Sequence, residues 1–409
     1  MATALTAGRR DAHVIGIVGI AHMFSHFYQL ALPPLFPLIK AETGLSNISL
    51  GLVMGAFYAT SGILQTPAGF LVDRIGARPV LFGGLGLLAA AVGCYAFAPS
   101  YEAMIALAML AGAGNSVFHP ADYSLINGTV AKSRTGRAYS IHSVGGHVGF
   151  AIAPPLMVAL GALVGWHHAI LFAGLFGVAL TVTLMLLGNS LRPQDAVGAH
   201  RERPRESLGS SVAMLLQPRI VTFFLFFFAF AFGIIGLQNF SPLALTSTAH
   251  IPYIAASGVL TALLIGSPLG ILAGGFLADS VPRHGFIATT GFAIAGVLML
   301  LVALVPMPTP LLVVDFAVAG FTLGAALPSR DMVIRAATPA GASGKVFGFV
   351  YSGLDAGASV GPGLLGWLID IGHANLVFVT VAALFFSGAV LIRVPALLFM
   401  RRPATEHGG

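Results

Sequence analysis

Gly69-Phe70-Leu71-Val72-Asp73-Arg74-Ile75-Gly76-Ala77-Arg78-Pro79 joins two long apolar stretches, and its opening is nearly repeated later as Gly275-Phe276-Leu277-Ala278-Asp279. Other pairs keep almost the same offset: Gly112, Pro120 and Gly136 against Gly320, Pro328 and Gly344, and Pro154 against Pro362. Several independent matches at nearly one spacing mark a chain of two related halves. The halves are unequal. Ser280 stands where the first copy has Arg74, and Pro282 where it has Gly76.

Composition sets the solvent. Of 409 residues 57% are hydrophobic and 8% charged, against about 25% charged in soluble domains. So few charges cannot cover a water-facing surface of this size, but a lipid-facing one needs none. A bilayer crossing takes about 20 mostly apolar residues. Twelve segments qualify: 13–39, 47–73, 78–98, 101–130, 136–163, 167–190, 219–247, 253–279, 285–306, 309–335, 344–371 and 374–398. The one long polar stretch, 191–218, separates a six-span bundle at 1–190 from another at 219–409 and reads as a cytoplasmic linker.

Charge gives the orientation. Arg74, Arg78, Lys132, Arg134, Arg137, Arg192, Arg201, Arg203, Arg205, Arg283, Lys345, Arg401 and Arg402 fall on one side of this layout, and Lys40 falls on the other. The positive-inside rule then places both termini in the cytoplasm, in a multi-pass inner-membrane protein. The net charge of +6 is thereby a topology signal, and no nucleic-acid partner is expected. Arg9 and Arg10 precede an apolar run too long for a cleavable signal, so it reads as the first span. Cys94 is the single cysteine, which excludes intrachain disulfides and cysteine metal sites.

The Gly69–Pro79 stretch resembles the loop signature G-x-L-x-D-R-x-G-x-R of the major facilitator superfamily. The resemblance extends over essentially the whole chain. It implies an all-α membrane fold of two pseudo-symmetric six-helix bundles, with spans 1, 4, 7 and 10 lining a central cavity. Asp73, Arg74, Gly76 and Arg78, with Asp279, Arg283, Asp331 and Arg335 from the second half, are then expected to form a cytoplasmic gate. Gly76 permits a tight turn there, and Asp73 can reach cations and a helix N-terminus. A narrower resemblance, to the fosmidomycin resistance protein group, rests on Gly114-Asn-Ser-Val-Phe118-His119-Pro120 and Ser140-Ile-His142-Ser-Val-Gly145-Gly146-His147-Val-Gly149. Gln65-Thr-Pro67-Ala-Gly69 and Leu32–Pro37 also fit, all in the N-terminal half.

Ionisable groups inside spans are costly and mark functional sites by default. His147 in span 5 and Asp355 in span 11 occupy equivalent repeat positions. At 1.5 Å rise per residue each lies roughly 15 Å deep. With His26 they are the candidates for proton coupling. His22, His26 and Gln29 share one face of span 1. With His119, Gln238, Asn239 and Arg330 they are candidate substrate contacts. Asp122, at the end of span 4, is expected to join a cytoplasmic charge network. No G-x-x-x-x-G-K-[ST] loop occurs, so neither ATP-driven transport nor a cofactor is expected.

These features favour a proton-coupled exporter of a small polar or amphipathic molecule, acting as a monomer. An organic-anion uptake carrier with Arg330 as ligand is the runner-up. A divalent-metal transporter using His22, His26, His119 and His147 around Asp355 is a third reading. His22-x-x-x-His26 has protease-like spacing, but Met23 stands where the catalytic Glu is needed, so no enzyme is expected.

Overall fold

The computed structural model describes residues 2–131, 134–188, 213–337 and 343–394, so most of the expected linker lies outside the described residues. Those residues fold into α-helices with short 3-10 turns and no strand. α1 (Ala2–Gln29) is followed by α2 (Phe36–Thr43), α3 (Asn47–Ile75), α4 (Ala77–Cys94), α5 (Tyr101–Asn115), α6 (Phe118–Thr129) and α7 (Thr135–Leu187). The second half holds α8 (Pro218–Thr248), α9 (Tyr253–Ser280), α10 (His284–Leu304), α11 (Thr309–Ala337), α12 (Ser343–Asp370) and α13 (Asn375–Leu391). Nine of the described helical segments are long and apolar enough to cross a bilayer. α7 covers two expected spans in one element, and α12 and α13 occupy the positions of the last two.

The expected spans are modified at three places, each for a local reason. Span 1 does not run unbroken over 13–39: α1 stops at Gln29, and Pro33–Leu35 form a 3-10 turn before α2. Pro33 and Pro34 lack the N–H that a continuing helix would use. Span 4 divides between Asn115 and Phe118, with Pro120 in the first turn of α6. Spans 5 and 6 meet at Gly165, whose φ of 77° and ψ of 162° bend α7 there. A side chain at that φ would be strained, so glycine makes the corner.

Large apolar side chains such as Ile63, Leu163, Leu186 and Val390 are exposed. Phe223, Phe226, Phe227, Phe292 and Phe385 are buried in the second bundle. An apolar exterior over an apolar interior is what a lipid-embedded bundle requires.

The halves meet along two helix pairs at equivalent places in the repeat, α3 with α12 and α7 with α9. The first pair is close. Gly51 and Gly55 of α3 lie against the backbone carbonyls of Pro362 and Ser359, and a Cβ on Gly62 would stand 2.7 Å from Asp355 Cγ. From the other side, Gly366 packs on Asn47 and Gly363 on Leu52. Small residues at this spacing let two backbones approach, the usual basis of helix association in lipid.

The same seam is tied at the end away from the loop signature. Asp370 closes α12, and its carboxylate accepts from the backbone N–H groups of Asn47 (3.0 Å) and Ile48 (2.8 Å) and from Asn47 Nδ2 (2.8 Å). Lys40 Nζ lies 3.6 Å from the same carboxylate. An acidic residue of one half thus caps a helix N-terminus of the other, where both the free N–H groups and the helix dipole favour an anion. Tyr253 of α9 reaches the carbonyl of Pro33 at 3.4 Å, and Phe36 and Phe240 pack at 5.5 Å. This distal end is closed.

Two substitutions should open it. Gly55→Val overpacks the seam, at about 1–3 kcal/mol. Asp370→Ala removes the cross-half cap, at about 0.5–2 kcal/mol. Spin labels at Ser46 and His373, with Cys94 replaced, should report a longer and broader distance in both variants than in the parent protein.

Candidate functional site

A polar cluster lies inside the N-terminal bundle, built by α1, α6 and α7. Asp122 is fully buried, and His22 and His142 are each 3% exposed. His22 Nδ1 and His142 Nε2 both donate to Asp122 Oδ2, at 3.0 and 2.9 Å. The two imidazoles stack with centroids 3.6 Å apart. His26 packs 4.5 Å from His22 and His119 lies 5.7 Å from it. The close fit depends on Gly146, where a Cβ would meet His22 and His26 at 3.0–3.1 Å. Asp122 Oδ1 and His26 Nδ1 are buried without a hydrogen-bond partner.

One expectation changes here. Asp122 is not part of a cytoplasmic charge network; it is the acceptor at the centre of a histidine cluster. His22 is buried and held by Asp122 and His142. Of the histidines on this side, His119 is exposed, and His26 and His147 are half-buried. Gln29 donates to Asn115 Oδ1 (3.4 Å), and Asn115 to Ser61 Oγ (2.9 Å), linking α1, α5 and α3.

His147 and Asp355 fall on the two equivalent seams. Asp355 faces Gly62 of α3, where a Cβ would stand 3.2 Å from its Oδ2. Among the described residues its carboxylate has no hydrogen bond and no cation within salt-bridge distance. His147 lines a cavity of about 420 Å³ between the halves, with Tyr139, Ser140 and Ser143 of α7 facing Ile271 and Gly275 of α9. The two residues are thus symmetry counterparts on separate seams, one packed and one open. They do not form a contacting pair.

Gln238 and Asn239 of α8 are buried, and Gln238 Oε1 and Asn239 Oδ1 have no partner. Tyr58 of α3 approaches Asn239 across the halves. Arg330 is 6% exposed. Its Nε and Nη2 both donate to Asp331 Oδ1 at 2.9 Å, and its guanidinium covers Phe227 at 4.7 Å. Asp331 therefore takes its neighbour Arg330, and Tyr351 also donates to it at 3.4 Å. The expected partners Arg335 and Asp279 have side chains outside the described residues. Asp73, Arg74 and Arg283 are exposed, Gly76 turns the chain with a φ of 93°, and Arg78 donates to the Met185 carbonyl at 2.9 Å.

Residues 18–286 and 224–409 match the sequence profile of the Major Facilitator Superfamily. The chain belongs to the Major Facilitator Superfamily. It is a multi-pass secondary transporter of a small molecule and not an enzyme. The fosmidomycin resistance protein of Escherichia coli (strain K12) is 24% identical over 412 residues, covering 96% of this chain and 95% of that protein. YfnC, an MFS-type transporter of Bacillus subtilis (strain 168), is 24% identical over 402 residues, covering 94% and 93%. A bacterial homologue of the human lysosomal transporter Spinster, in an inward-facing and occupied conformation, superposes with a TM-score of 0.77 at 15% identity, over 95% of this chain and 97% of that one. At that identity the likeness concerns the fold of this facilitator.

Sequence reasoning missed two buried acids. Asp11 of α1 is bound by Arg134 Nε at 2.8 Å and by the Ala131 N–H at 3.2 Å. Asp315 of α11 is 5% exposed with Oδ2 unpartnered. The signal for Asp315 was available: a lone acid in the apolar run Leu311–Phe316.

The cluster should matter for stability. Asp122→Ala leaves two buried imidazole N–H groups without an acceptor, at about 1–3 kcal/mol each. Asp122→Asn keeps an acceptor oxygen and should lose less. Thermal unfolding in detergent micelles measures the order parent, Asn, Ala.

Proposed function

We propose that this facilitator is a proton-coupled exporter of a small polar or amphipathic compound, working by alternating access in a cytoplasmic membrane with both termini inside. The observation that carries the reading is Asp355, an acid with no counter-charge on the seam where the halves must part. A charge without a partner at that depth is costly, and a protonated carboxyl is not.

The cycle follows from that position. With the distal end open, Asp355 meets outside water and takes up a proton. The neutral side chain then packs against Gly62 as α3 and α12 close. With the loop-signature end open, the proton leaves to the cytoplasm and the substrate enters. His147, on the other seam, faces the open cavity and completes the polar pair across the pseudo-two-fold axis. His26, Gln29, His119, Gln238 and Asn239 offer polar contacts towards the substrate path. Asp73, Arg74, Gly76, Arg78, Asp279, Arg283, Asp331 and Arg335 would close the loop end in the opposite state. The protein is proposed to act as a monomer.

Export is supported by similarity to the fosmidomycin resistance protein along nearly the full length and by the motifs around His119 and Gly145. The anion-uptake reading is weaker, because Asp331 already occupies two donors of Arg330.

Fosmidomycin is the first compound to test. Expression of the protein should raise tolerance to it, and inverted vesicles should accumulate it when a pH gradient is imposed. Asp355→Asn should abolish gradient-driven accumulation, by tenfold or more (about 1.4 kcal/mol), while the purified variant keeps its helix content. Full gradient-driven transport by that variant would remove Asp355 from the mechanism.

A further inference from the structure

We propose that His22 Nδ1, Asp122 Oδ2 and His142 Nε2 form a resident binding site for a divalent transition-metal ion of the zinc type, inside the N-terminal bundle. This goes beyond the transport reading and does not depend on which compound is moved.

The three ligand atoms lie within 4.8 Å of one another, and all three residues are buried. Bonds of about 2.0–2.2 Å to nitrogen and oxygen give a tetrahedral edge of about 3.3 Å. Two of the edges are already 2.9 and 3.0 Å. The third closes by rotation of the stacked imidazoles.

A second observation points to a missing partner. Asp122 Oδ1, on a side chain of zero exposure, and His26 Nδ1 are both buried and unbonded. Buried polar atoms left over in a native structure call for a water or an ion. Among the described residues no Lys or Arg lies within salt-bridge distance of Asp122 to balance its charge. A hydrogen-bonded triad alone explains neither point. A metal ion answers the charge of Asp122.

The donor set selects the ion. Two imidazoles and one carboxylate suit zinc, cobalt(II) or nickel(II), whereas calcium and magnesium prefer all-oxygen shells. The only cysteine, Cys94, is exposed on α4 and supplies no sulfur here. Entry is open on one side, where His119 is exposed beside His22 and Tyr123 is exposed 5.7 Å from His142. The ligands come from α1, α6 and α7, so a bound ion cross-links the second fragment of interrupted span 4 to spans 1 and 5. All three ligands belong to one half, as befits an ion that stays.

The test uses the full-length protein in detergent micelles, with its affinity tag removed and after chelator treatment. Zinc titration by calorimetry should show one saturable site, and zinc but not magnesium should raise the unfolding temperature. His142→Ala and His22→Ala should each weaken binding by at least about tenfold, the lower end of what even an outer-shell partner contributes. His168→Ala, at an exposed histidine on the far side of the Gly165 bend, should bind as the parent does. If the first two variants fail to fold, X-ray absorption of the zinc-loaded parent decides, with scattering from at least two imidazoles and no sulfur expected. The absence of saturable zinc binding, undiminished binding in both variants, or a spectrum without imidazole would each overturn the proposal.

Discussion

The contact between α3 and α12 organises this molecule. Two helices from different halves come together because glycines remove the side chains that would hold them apart. Asp370 then fixes the register by capping α3 from across the seam. Glycine packing alone would tolerate sliding. A carboxylate that accepts from two backbone amides and a side-chain amide does not, since its partners sit at one place on one helix. The same register brings Asp355, further down α12, opposite Gly62. The distal closure and the position of the lone carboxylate are therefore consequences of one packed interface.

Charge inside the bundles divides into two kinds by its partners. Asp11 with Arg134, Arg330 with Asp331 and Asp370 with the α3 N-terminus are satisfied, and each ties elements together. Asp355 and Asp315 have no such partner, and Asp122 has only histidines. In lipid an unsatisfied polar group has no water to fall back on, so these exceptions are where chemistry is expected. Asp355 lies on a seam between halves and can sense their separation. Asp122 lies within one half, which is why transport coupling is proposed for the first and a bound ion for the second.

Much of the architecture was legible in the sequence because lipid simplifies the code. Apolar length and the Gly69 and Gly275 repeats indicate a helical membrane chain of two related halves without any packing information. The repeat even paired His147 with Asp355, and both fall on interfaces between the halves. The breaks at Pro33 and Pro120 were harder. Proline disrupts some membrane helices and is absorbed by others: Pro67 and Pro242 sit inside unbroken helices here. Hydropathy does not tell the two cases apart.

The side-chain cluster was legible only in part. Local spacing put His22 and His26 on one face, but their acid had to come from another helix. The sequence offers Asp355, which is far along the chain and faces the other half. Asp122 reads as peripheral because it stands near the end of its span. The interruption of span 4 after Asn115 changes the path of α6 and carries Asp122 inward, a rotation that no periodicity encodes. Arg330 is a similar case, since its pairing with the adjacent Asp331 depends on rotamers and not on helical spacing.

The central claim is that protonation of one carboxylate on the seam is linked to the parting of the halves. Infrared difference spectroscopy during a pH titration in lipid tests it directly, with the carboxyl stretch and the separation of α3 from α12 followed on the same sample. The account expects one protonated-carboxyl band that disappears in step with a change in that separation, both being absent in Asp355→Asn. A separation that still responds to pH in Asp355→Asn, or a band that titrates while the seam stays fixed, would contradict it.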